Sequence, residues 1–108
     1  TGRPRADFER LLDRFDLRSV FSASVCMEDA TVKPDPAPVL LALSRLGVSN
    51  AWMVGDTPDD ILAARAAGVV PLGVLAPGDA NPRTAAALES AGVARTLSSL
   101  SALEDLIP

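Results

Sequence analysis

The stretch Val54-Gly55-Asp56-Thr57-Pro58-Asp59-Asp60 limits the folds open to this chain more than any other. The apolar run Ala51-Trp52-Met53-Val54 stops there in a glycine and an acid, and helix-starting residues follow at once. Thr57 suits the cap of a helix whose first position is Pro58. Asp60 stands three residues on, as in a capping box, although Asp is the less usual partner there. A buried strand that delivers carboxylates straight into a helix belongs to an open α/β sheet. Such sheets carry their ligand sites at the carboxyl ends of the strands.

The rest of the chain repeats this punctuation. Phe8, Leu11, Leu12 and Phe15 recur at helical spacing after Pro4 and predict a helix ending near Asp16. Val20–Cys26 reads as a short buried strand, with Glu28 and Asp29 just past its end. Lys33-Pro34-Asp35-Pro36 is barred from regular structure by its prolines, and Asp35 is placed to cap a helix with Pro36 first. Val39, Leu40, Leu43 and Leu46 form that helix's apolar stripe, and Gly47 stops it. Ala51–Val54 is the next strand, with Trp52 and Met53 as core or helix-contact residues. A helix rich in small residues follows to Gly68, then an apolar run over Val69–Leu75. A helix from about Pro82 to Ala91, a weak strand over Val93–Leu97 and a short helix over Ser99–Leu106 complete the order. Strand and helix alternate throughout, which predicts a mostly parallel sheet with helices on both faces.

At 108 residues the chain is one domain. Hydrophobic residues make up 48%, so a core is affordable, but aromatics are only 4%, and the core rests on Val, Leu, Ile and Ala. The net charge of -4, with no basic stripe, argues against nucleic acid as a partner. Cys26 is the one cysteine and there is no histidine, which excludes an internal disulfide and histidine-based zinc sites. A lone thiol is compatible with a reducing compartment, and a cytoplasmic location is expected. No apolar stretch reaches roughly 18 residues, so no membrane span is expected. The chain begins with Thr1 rather than Met, in keeping with a processed or partial chain.

Asp56 and Asp60 are the leading candidates for chemistry. They lie one helical turn apart and can face the same space. Two carboxylates there repel unless a cation sits between them, and Mg²⁺, which takes oxygen ligands and keeps waters, fits. The plainer reading is that Asp59 and Asp60 favour the positive end of a helix. Lys33 is the only lysine, held among prolines beyond a strand, where a point charge can offset a phosphate. A solvated loop lysine is its bland alternative. Thr1, with Gly2 before a helix, offers a hydroxyl and free backbone amides to a phosphate oxygen, or is merely a chain end. Arg3 is equally an anion contact or a solvated arginine. Cys26 has no activating histidine and reads as structural.

Together these residues resemble the haloacid dehalogenase (HAD) superfamily of hydrolases. Lys33-Pro34-Asp35-Pro36 looks like its lysine motif, and Asp56 follows Lys33 by 23 positions, a normal interval for it. Val54–Asp60 with the helix behind it is similar to the acidic motif. Thr1-Gly2-Arg3-Pro4 looks like the Thr/Ser motif of phosphoglycolate-phosphatase-like members. The resemblance implies a three-layer, Rossmann-like core in which Asp56 contacts Mg²⁺ and Asp60 supports it directly or through water. Lys33 would steady the phosphate and the nucleophile, and Thr1 would hydrogen-bond the transferring phosphoryl group.

The family's nucleophile and its second acid/base lie in an Asp-x-Asp motif on the first strand. No Asp-x-Asp precedes Lys33 here. The cap between the first two motifs and the strand leading into Thr1 are absent as well. Residues 1–108 are therefore expected to be the C-terminal part of the core domain, lacking the first two strands, with a gap between the Val20 strand and the Ala51 strand. An upstream segment or a second chain is expected to complete the sheet, and a rearranged sheet or a swapped dimer closing the gap is the alternative. The implied activity is Mg²⁺-dependent hydrolysis of small phosphorylated metabolites through an aspartyl phosphate. A pyrophosphate hydrolase or phosphomutase is the neighbouring enzyme reading. The non-enzyme reading is an inactive regulatory or interaction module, and the isolated chain is expected to be inactive.

Overall fold

Capping residues set where two of the helices begin, and glycines or a left-handed residue set where most of them end. The computed structural model describes all residues from Thr1 to Pro108. Helix α1 runs Arg5–Phe15 and stops at Asp16, whose φ of 52° is left-handed. Helix α2 runs Ala37–Leu46 and stops at Gly47, also left-handed. Pro36 rather than Asp35 holds the cap position, and Asp35, one residue before it, accepts from the Ala37 amide at 2.8 Å. Strand β1 is Trp52–Gly55, followed by α3 at Pro58–Ala66. Strand β2 is Val70–Val74, α4 is Pro82–Ala91, and β3 is Arg95–Leu97. The final segment, Leu100–Leu106, is a 3-10 helix rather than an α-helix. No helix is long and apolar enough to cross a membrane.

The strands form one parallel sheet in the order β1-β2-β3. Trp52 stands opposite Val70, and Val54 opposite Leu72, so these four share a face. Met53, Gly55, Pro71 and Gly73 share the other, which the helices cover. Met53 packs against Val39, Ala63, Ala64 and Val69. A β-carbon at Gly73 would meet Leu88 and Val93 at 3.1 Å, so glycine lets α4 lie close to the sheet. Ala63 and Ala64 serve α3 in the same way and are fully buried.

Three expectations change here. Val20–Cys26 is not a strand: it carries no ladder, and the one backbone partner of residues 21–25 is the Thr1 amino group, 2.8 Å from the Val25 carbonyl. A strand needs a neighbour, and none lies within reach between this segment and β1. Trp52 is not core; it is 48% exposed, beside the exposed Val70. The apolar stripes of α1 and α2 are only partly buried, with Leu11, Phe15, Leu40 and Leu46 exposed. Those helices were expected to cover a wider sheet than three strands provide.

The expected gap is a groove of about 430 Å³. Ala23 and Val25 line one wall, Ala51–Val54 the other, and Phe8, Val39 and Leu43 its apolar interior. β1 pairs with β2 alone, so its other edge faces this groove with unpaired backbone groups. The Met27 amide also donates to the Arg3 carbonyl at 2.9 Å. Thr1–Arg3 therefore runs in the same direction as Val25–Met27, beside it.

Candidate active site

The acidic turn is built around Asp60, which is 5% exposed. Thr57 caps α3 by accepting from the Asp60 amide at 3.3 Å. Asp60 Oδ2 in turn accepts from the amides of Asp56 and Thr57, each at 3.1 Å, and from the Thr57 hydroxyl at 2.9 Å. Its other oxygen, Oδ1, pairs with the Lys33 ammonium. Burial pushes the carboxyl's pKa up, but the Lys33 and Thr57 bonds outweigh it, and the group is held below the ordinary carboxylate value.

Gly55 makes this possible. A β-carbon there would lie 2.2 Å from the Asp60 β-carbon, so only glycine lets the carboxylate fold back against the end of β1. The sequence marked Gly55 as the end of an apolar run; the close approach is visible only in three dimensions.

Lys33 reaches the turn from across the groove, with its side chain 26% exposed. The Lys33–Pro34 peptide bond is cis. Thr1 shares the groove lining with Lys33. The Thr1 hydroxyl accepts from the Arg3 amide at 3.2 Å. Thr1, Lys33 and Asp60 thus occupy one neighbourhood at the end of the groove.

Asp56 behaves differently. Its carboxylate is exposed and bonds to nothing, and it borders a second cavity with Ser98 and Ser99 at the carboxyl ends of β1 and β2. Asp59 is exposed. The donor set suits a hard cation: Asp56 is a free oxygen ligand on the strand lip. It does not form a cage, since no three acidic or cysteine side chains gather closely enough to hold a metal. Both Asp60 oxygens already have partners.

Two residues that sequence reasoning placed nearby, without assigning partners, turn out to organise the Thr1 side. Glu28 accepts the Arg5 amide on both oxygens at 3.0 Å. Asp29 accepts the Cys26 amide at 2.8 Å and pairs with the guanidinium groups of Arg5 and Arg45. Two acids after an expected strand were a signal; the arginines, far away in sequence, carried none.

Comparison with known proteins agrees with this arrangement. The family described as haloacid dehalogenase-like hydrolase matches residues 1–74. The chain is 39% identical over 77 residues to a phosphoglycolate phosphatase of Salmonella typhi, a match covering 68% of this chain and 31% of that protein. It is 49% identical over 79 residues to a protein of Phytophthora nicotianae named imidazoleglycerol-phosphate dehydratase, covering 71% of this chain but only 18% of that one. A HAD family hydrolase from Deinococcus radiodurans, solved with bound phosphate and sodium, superposes with a TM-score of 0.80 at 26% identity. That superposition covers 97% of this chain and 48% of that structure, so the chain spans about half its length. With its lysine, acidic and threonine segments in the family's order and its fold shared by a solved member, the chain belongs to the haloacid dehalogenase-like hydrolases.

Proposed function

We propose that this chain is the phosphate- and metal-receiving half of a Mg²⁺-dependent phosphatase acting on small phosphorylated metabolites. The observation that carries the reading is the groove beside β1, with Thr1 and Lys33 in its lining and Lys33 paired to Asp60 of the acidic turn. The half-length match to a solved relative supports a missing upstream part. So does the direction of Thr1–Arg3: residues preceding Thr1 would run back along Val20–Val25 as a parallel strand inside the groove. The free edge of β1 would take a second strand, carrying the Asp-x-Asp carboxylates to Lys33 and Asp56.

In that assembly Lys33 and the Thr1 hydroxyl hold the phosphoryl oxygens and offset their charge. Asp56 is the free carboxylate that would hold Mg²⁺; when bound, the ion neutralises charge on the phosphoryl oxygens. Asp60 supports the site from behind, fixing Lys33 and the amides of the turn. The upstream aspartate attacks phosphorus, forming a carboxylate–phosphorus bond as the ester oxygen leaves and takes a proton. Water then attacks phosphorus, releasing inorganic phosphate and restoring the carboxylate. The 108 residues alone hold no carboxylate for that attack, and the isolated chain is inactive in this account.

Intact mass of the natural protein tests the missing segment: a value well above 11.2 kDa is expected, and 11.2 kDa would contradict it. Asp56→Asn in the longer protein should abolish Mg²⁺-dependent hydrolysis of phosphomonoesters. Full activity in that variant would remove the metal role.

A further inference from the structure

We propose that Glu28 and Asp29 are positioning residues, clamping the loop that carries Thr1 to the loop that carries Lys33. The inference rests on the phosphatase reading for its purpose and on the geometry for its existence. Pro4, at the cap position of α1, makes no side-chain cap bond. Glu28, from 23 residues away, supplies one instead by taking the Arg5 amide on both oxygens. Asp29 gathers three segments at one carboxylate: the start of α1 through Arg5, the last turn of α2 through Arg45, and its own turn through the Cys26 amide. Arg5 Nη1 also reaches the Ser24 hydroxyl at 3.4 Å, and Arg45 the Ser24 carbonyl.

Both arginines are more than a third exposed, so their pairs with Asp29 add only modestly to stability, and register is the better account of their arrangement. No strand ladder joins the Thr1 loop to the segment before Lys33; apart from the Thr1 and Met27 backbone bonds, the clamp is what relates them. Both phosphate-holding side chains ride on it. Asp56 does not, because it follows β1 directly and borders the other cavity.

Two measurements test this. In hydrogen exchange of the chain, Asp29→Asn should speed the Arg5 and Met27 amides about tenfold and leave the Val70, Leu72, Gly73 and Val74 amides within about twofold. No change at Arg5 and Met27, or an equal rise in the sheet, overturns the clamp. Glu28→Gln, at an exposed position, replaces this variant if Asp29→Asn does not fold, with the Arg5 amide as its readout. In the longer enzyme the same variant should weaken inhibition by inorganic phosphate about tenfold while half-saturating Mg²⁺ moves less than about twofold. Unchanged phosphate inhibition, or an equal shift in both constants, overturns the positioning role. If the unaltered enzyme hydrolyses no phosphomonoester, the functional reading fails and the exchange measurement alone decides the clamp.

Discussion

Asp60 keeps its charge while 5% exposed because four donors surround it: Lys33, the Asp56 and Thr57 amides, and the Thr57 hydroxyl. Removing one donor leaves the others to compensate, but Lys33 is the only cation among them. Lys33→Ala should therefore lower unfolding free energy by about 1–3 kcal/mol, less than for a fully buried pair because Lys33 is 26% exposed. Urea denaturation checks it, and an unmoved midpoint would contradict it. Gly55→Ala places a β-carbon against Asp60 and should cost about 1–3 kcal/mol through forced displacement. Its melting temperature should fall clearly below that of a Gly2→Ala control, where a β-carbon meets nothing within 4 Å. Asp29 gives a pH signature. The Cys26 amide first, and the two arginines against the cost of burial, hold its carboxyl below the reference value of 3.8. Its contribution to stability is present above about pH 4 and is lost as pH falls through the folded-state value. Acid unfolding curves of the chain and of Asp29→Asn should converge as pH drops below about 4; parallel curves would contradict this.

At the scale of elements, burial is concentrated where β1, β2, α3 and α4 meet. Ile61 and Leu88 are fully enclosed, and Leu88→Ala should cost about 2–5 kcal/mol, measured by denaturant unfolding. Trp52→Ala in the isolated chain should cost less than about 1 kcal/mol, since half the side chain already faces water. These two substitutions would exchange ranks if β1 were an interior strand covered on both faces. The same contrast explains what was legible in the sequence. Elements whose signals are local were placed well: the Thr57–Pro58 start of α3, the Gly47 and Gly92 stops, and the apolar runs of β1 and β2. Val20–Cys26 was misjudged because strand formation depends on a neighbour that local composition cannot supply. Trp52 and the α1 stripe were misjudged for the same reason, as apolar pattern reports the surface a residue prefers, not whether that surface is present. The site followed suit. Motif order and the family resemblance pointed Lys33 toward the acidic turn, where it pairs with Asp60. The engagement of both Asp60 oxygens and the arginine partners of Asp29 required geometry.

For the whole molecule, a parallel sheet of three strands leaves an apolar groove, an unpaired edge and one face open at Trp52 and Val70. Only 16 of 108 residues are buried, fewer than a chain with 48% hydrophobic residues can support, so much of its apolar surface is unused. A segment supplying two strands would bury the groove and bring carboxylates to Lys33 and Asp56 in the same event, tying completion of the fold to completion of the site. The central claim is that chemistry requires that segment. The most direct measurement is the rate of phosphomonoester hydrolysis with Mg²⁺ by the 108-residue chain beside that of the protein extended through its upstream coding sequence. The account predicts turnover in the extended protein and a rate at least about 1,000-fold lower in the short chain, the scale of losing a covalent nucleophile. Equal rates in the two would contradict it, because the attacking group would then lie within Thr1–Pro108.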